Sequence, residues 1–503
     1  MPEPHPTPEP SFSPAAAGAP EGAPAGRDPT GGARPVDDLV SARHAVETAA
    51  GRLAYTSTAG RVVLAEEVLE DGVFRGARPK AEMFVVSYVA DAAPASRPVT
   101  FAFNGGPGSS SVWLHLGLLG PRRVVMGDAG DLAPPPYGLA DNAETLLAHS
   151  DLVFIDPVST GYSRVVEGDK PSEYHGYRRD LESVGEIIRL WLSRNRRWLS
   201  PKYLIGESYG TTRAGGLAEH LQSRYGLELN GVMLISSVLD FATGADEGEG
   251  NDLAYVLSLP TFACIAHYHG LHGDRRLDEV RSEAEQFALG EYSRALLHGH
   301  RMGDGELGQV AERLAHLTGL DREWVERAEL RIESHRFFRE LLRARRLVVG
   351  RLDARFTGYE ADAVGERPTV DPSYSAIHGP YTAAFNQYVR EELGYENDLP
   401  YEILTDRVRP WSYKEYENRY VNVADRLAAA MRANPHLRVH VAAGYYDGAT
   451  PYFAAEHTVN HLRLPPELRA NVSFHHYEAG HMMYVHEESR LRQSRDLAEF
   501  VRP

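Results

Sequence analysis

A single cysteine, Cys264, in 503 residues leaves no intramolecular disulfide. Packing and hydrogen bonds must then hold the fold, and a reducing compartment suits such a chain. Basic residues are outnumbered: 53 Lys and Arg face 70 Asp and Glu, a formal net charge of −17. So acidic a chain offers no phosphate-neutralising face, and neither nucleic acid nor an anionic membrane is an expected partner. Long apolar runs are missing as well. The most apolar stretch, Val112–Leu119, is too short to cross a bilayer and contains His115. Near the start no basic segment leads into an apolar one; the first arginine is Arg27, and Pro and Glu interrupt what precedes it. No secretory signal is expected, and the expected location is cytoplasmic. Metal-ligand spacing is absent too. His267, His269 and His272 crowd together without a Cys or carboxylate at ligand spacing, and His457 and His461 lack the adjacent Glu of a zinc-protease helix. No metal and no cofactor is expected.

What is present divides the chain. Residues 1–38 are rich in Pro, Ala and Gly without apolar periodicity, and are expected to be a disordered tail. Arg61–Leu69 and Met83–Ala90 read as antiparallel strands, β-branched and aromatic-rich. Six short apolar runs follow: Val99–Phe103, Leu152–Ile155, Tyr203–Ile205, Val232–Ile235, Val439–Ala443 and Val472–Phe474. Such runs suit strands buried on both faces of a parallel sheet. Helical spacing lies between them, as in Leu181, Val184, Ile187, Ile188 and Trp191. The expected class is α/β, a mostly parallel central sheet flanked by helices. Between 246 and 375 the pattern turns helical and charged with no buried-strand run, so this stretch reads as a mainly helical cap. It splits the core into a first part, 39–245, and a second, 376–503, and a cap beside a site shapes its pocket.

Gly206-Glu207-Ser208-Tyr209-Gly210 has the G-x-S-x-G form of a nucleophile elbow. Lys202-Tyr203-Leu204-Ile205 leads in as a strand; Ala214, Leu217, Ala218 and Leu221 lead out at helical spacing. That context makes Ser208 the candidate nucleophile of an α/β-hydrolase fold. The loop Asn104-Gly105-Gly106-Pro107-Gly108 follows an early strand, where such enzymes find a second backbone N–H for an oxyanion hole. Acid and histidine must then follow the serine in that order. Asp447 stands just past one apolar strand and His481 in a loop past the next, at the strand ends where open α/β sheets place their sites. His475 and His476 are nearer rivals in number only, since they belong to the strand itself.

These motifs together resemble the serine carboxypeptidase family, with its N-G-G-P-G-C-S-S loop, G-E-S-Y elbow and late Asp and G-H-M motifs; Ser109 takes the usual cysteine place. Asp156-Pro157-Val158-Ser159-Thr160-Gly161-Tyr162-Ser163 is similar to a further family motif. The resemblance implies a triad of Ser208, His481 and Asp447, with Gly106 and Tyr209 offering oxyanion N–H groups. It also implies that Asn104, Gly105 and Glu207 face the carboxylate of a peptide substrate. One departure stands out. The family's second glutamate, in E-L-G-P, is matched here by Leu118-Leu119-Gly120-Pro121. Arg122 and Arg123, which follow, are the candidates to hold the carboxylate instead. The implied activity is release of C-terminal residues through an acyl-enzyme. The alternatives are an esterase or acyltransferase acting on a small acyl substrate, and a non-catalytic binding protein on the same fold.

Overall fold

Nine strands make the backbone of the molecule, and the apolar runs supply six of them. The computed structural model describes residues 35–91, 93–94, 96–244 and 250–502; the expectation for residues 1–34 falls outside these. The strands are β1 (Asp38–Thr48), β2 (Gly51–Glu70), β3 (Val73–Ala90), β4 (Val99–Phe103), β5 (Asp151–Ile155), β6 (Lys202–Glu207), β7 (Gly231–Ile235), β8 (Arg438–Gly444) and β9 (Val472–Tyr477). Their order across the sheet is β1-β2-β3-β5-β4-β6-β7-β8-β9, with a short strand, Arg164–Val165, against β3. The first three strands and the β3–β5 pair run antiparallel. Every pair from β5 through β9 is parallel.

Period-two alternation sends side chains to two cores. Leu204, Val232, Leu234, Val439 and Val441 face one; Ile205, Met233, Ile235 and Ala442 face the other. Helices α1 (Tyr177–Arg194) and α2 (Tyr209–Tyr225) cover the first face. The second is covered by α4 (Pro372–Glu391) and α5 (Glu487–Val501), which come after α3 (Asp252–Tyr268) in the chain. Both faces of β4–β7 are therefore buried, as their unbroken apolar runs require.

Two expected boundaries fall inside elements, and the stretch between them has an added hairpin. Order begins before residue 39: Asp38 opens β1, and Asp37 accepts from Val63 N and pairs with Arg194. The stretch 246–375 is mainly helical, starting with α3, but also carries a two-stranded hairpin, Leu347–Val349 with Thr357–Tyr359. Its end at 375 cuts α4, whose cap is Asp371. This stretch has its own core, built on Phe262, Phe337 and Phe338, which reaches Ala443, Tyr446 and Tyr452 beside β8.

A buried ion pair ties the sheet's helices to the site. Arg213 of α2 is fully buried and donates from Nε to Asp180 Oδ2 of α1 at 2.8 Å. Its Nη1 donates to the backbone oxygen of Asn104 at 2.6 Å, just past β4. Burial raises Asp180 and the Arg213 charge holds it down. Breaking such a pair on one side leaves a charge without compensation. Arg213→Met should therefore lower stability by about 3–5 kcal/mol in urea melts. Adding Asp180→Leu should recover most of that loss, yet not the activity, because the Asn104 carbonyl still lacks its donor.

Candidate active site

Ser208 sits between β6 and α2 at φ 60°, ψ −130°, a conformation that an L residue holds only when its surroundings impose it. Its N–H donates to Ile235 O of β7 at 3.0 Å, and its carbonyl accepts from Thr211 N and Oγ1. Glycines make the approach possible. A Cβ on Gly206 would lie 2.1 Å from Gly210 O, one on Gly210 2.7 Å from Phe103 O, and one on Gly105 2.4 Å from Tyr209 N. Strand, helix and glycine loop thus meet with no room for side chains. Tyr209 opens α2, so its N–H has no helical acceptor. Neither it nor Gly106 N donates to a backbone acceptor among the described residues.

Asp447 and His481 come together at the ends of β8 and β9. His481 Nδ1 lies 2.7 Å from Asp447 Oδ2, and both residues are buried. Asp447 also accepts from Ala449 N, Thr450 N and Thr450 Oγ1, at 2.6–2.9 Å. These donors fix the orientation of the carboxylate toward the imidazole. Burial pulls the His481 imidazole down, but the charge and hydrogen bond of Asp447, with Glu207 adding, carry it above its ordinary value. The rival histidines point elsewhere: His475 pairs with Asp496 and His476 with Glu456. His267, His269 and His272 each engage a backbone carbonyl.

Ser208 and His481 share a cleft of about 400 Å³ with Asn104, Gly105, Gly106 and Glu207. Glu207 is buried; its Oε1 accepts from Asn104 Nδ2 at 2.8 Å and its Oε2 from Tyr484 Oη at 2.7 Å. Burial pushes its carboxyl up to about 7, against the opposing pull of His481, Tyr484 and Asn104. Arg122 and Arg123 do not line this cleft. Arg122 pairs with Asp141 and Glu392, and Arg123 lies 4.0 Å from Glu487, because both belong to a strand, Arg122–Val125, paired with Gly138–Asp141. The cleft's arginines are Arg351 and Arg409, which sequence reasoning missed. Arg351 comes from the 246–375 stretch, where no motif marks it. Trp113, Tyr374 and Ile377 supply apolar wall.

The Arg351 segment also braces the histidine. His481 N donates to Leu352 O at 2.7 Å, Gly480 N to Asp353 Oδ2 at 3.3 Å, and Ala354 N to Tyr446 O at 3.0 Å. Asp353 is held in turn by Arg355, which also reaches Asp128. A Cβ on Gly480 would lie 2.4 Å from Asp353 Cβ. Asp353→Ala should therefore loosen the histidine loop without touching Ser208. We expect the rate of fluorophosphonate labelling of Ser208 to fall about 10- to 100-fold, with retained near-UV dichroism.

The chain is 29% identical over 157 residues to serine carboxypeptidase-like 25 of Arabidopsis thaliana, covering 29% of this chain and 31% of that protein. The chain thus spans about a third of the length of this curated relative. The fold is shared with the prohormone-processing carboxypeptidase Kex1 of Saccharomyces cerevisiae, at 14% identity, a TM-score of 0.53, and coverage of 88% of this chain and 90% of that one. A proline iminopeptidase of Mycobacterium smegmatis also aligns, with a TM-score of 0.34, 14% identity, and coverage of 87% of this chain and 98% of that one. The family model for serine carboxypeptidases matches residues 73–494, most of the described chain, and the protein belongs to the serine carboxypeptidase family.

Proposed function

We propose that the chain acts as a serine carboxypeptidase on peptides with a free C-terminus. Ser208 Oγ attacks the last peptide carbonyl while His481 Nε2 takes its proton, and Asp447 holds the imidazole by Nδ1. Gly106 N and Tyr209 N receive the developing oxyanion. His481 then returns the proton to the leaving amino acid, and water releases the acyl group by the same route.

One juxtaposition carries this reading: a buried carboxyl–amide pair, Glu207 with Asn104, lies beside the elbow serine in the cleft that also contains His481. A neutral Glu207 donates a hydrogen bond to a substrate carboxylate; an ionised one repels it. The reading extends to a cytoplasmic setting, supported by the lone, buried Cys264. Among the described residues no helix is long and apolar enough to cross a membrane.

The protonation requirements oppose one another. His481 must be neutral to accept a proton, and Asp447 raises its affinity for one. Glu207 must be neutral to receive a carboxylate, and its carboxyl lies at about 7. Raising pH frees the base and ionises the acid. We predict that cleavage of a free-acid peptide rises, peaks near neutral pH, then falls about tenfold in kcat/KM per unit as one proton is lost. The same peptide as a C-terminal amide should be cut slowly, without the falling limb. Ser208→Ala should abolish both reactions and fluorophosphonate labelling. Equal rates for acid and amide would favour the esterase or acyltransferase, and an unlabelled wild-type Ser208 the binding protein.

A further inference from the structure

Glu207 receives a polar partner from a segment far from the glycine loop. Tyr484 follows His481 by three residues, in the short turn Met483–Val485. Its ring lies over Gly117, the residue before Leu118: a Cβ on Gly117 would sit 2.3 Å from Tyr484 Cε2. The phenol reaches Glu207 Oε2 at 2.7 Å, and both side chains are buried.

We propose that Tyr484 is a positioning residue that sets how tightly Glu207 holds its proton. The substrate consequence of this proposal rests on the reading of Glu207 as receiver of the peptide carboxylate.

The orientation of the bonds argues for it. Asn104 Oδ1 accepts from Leu114 N at 3.1 Å, which turns Nδ2 toward Glu207 Oε1. Oε1 is thereby committed as an acceptor, and the other hydrogen bond of the carboxyl among the described residues comes from Tyr484. Burial keeps the Tyr484 phenol protonated far above neutral pH. It always has a proton to donate, and that bond is strongest when Glu207 is ionised. A second carboxylate would act in the opposite sense, since like charges drive a proton onto the pair.

The groups facing Glu207 are His481 and Asp447 from the loops after β9 and β8, Asn104 from the glycine loop, Tyr381 from α4, and Tyr484. His481 and Asp447 act on Glu207 with opposite signs. Tyr484 and Asn104 hold Glu207 down against its burial, so that it titrates near neutrality, within reach of His481.

The test is Tyr484→Phe, which keeps the ring over Gly117 and removes only the hydroxyl. Glu207 is titrated by infrared difference spectroscopy, its neutral carboxyl band assigned by disappearance in Glu207→Gln. The midpoint should rise by about one pH unit in Tyr484→Phe. The alkaline limb for free-acid peptide should move up with it. An unmoved or lowered midpoint would overturn the proposal and leave Tyr484 a packing residue. A raised midpoint, in an enzyme that cuts acid and amide peptides equally, would uphold Tyr484's hold on Glu207 and defeat the carboxypeptidase reading instead.

Discussion

Close approach of three backbone segments at Ser208 is the constraint on which the rest depends. The end of β6, the start of α2 and the loop after β4 come within 2.1–2.7 Å of where glycine Cβ atoms would stand. Any side chain at Gly105, Gly206 or Gly210 would force them apart. Their convergence holds Ser208 at positive φ in the cleft, where, among the described residues, Gly106 N and Tyr209 N donate to no backbone acceptor. The buried Arg213–Asp180 pair locks this geometry from behind, because the same guanidinium holds Asn104 O. Strain at one residue is thus sustained by packing and charge around it.

Around this turn the site is a problem of proton placement. Glu207 and His481 sit close enough to influence each other, and each draws a proton toward a different task. With one proton between them, the arrangement suited to peptide cleavage keeps it on Glu207 and off His481. The two groups titrate as a pair, so the macroscopic profile belongs to both. Asp447 and its three donors bias the proton toward histidine, while burial biases it toward glutamate.

Legibility in the sequence followed how local each signal is. The buried strands were plain because double-sided burial demands continuous apolar runs, as in Val99–Phe103 and Val232–Ile235. The elbow was plain because a strained turn needs glycines at fixed spacing. β1 was not, since this outermost strand alternates polar and small residues (DLVSARHAVET) and is partly exposed. Arg122 and Arg123 lie near Leu118 in sequence, but a strand pairing carries them toward Asp141 and Glu487. Arg351, Asp353 and Tyr484 enter the site from distant or unmarked segments. Nothing in their neighbours' pattern encodes such a meeting.

The central claim is that this cleft cuts one residue at a time from a free C-terminus, using Ser208. Time-resolved mass spectrometry of one long unmodified peptide with the purified protein tests it most directly. The account predicts a ladder of products, each shorter by one C-terminal residue and all sharing an intact N-terminus, absent with Ser208→Ala. Internal fragments, loss from the N-terminus, or the same ladder from the Ser208→Ala protein would contradict it.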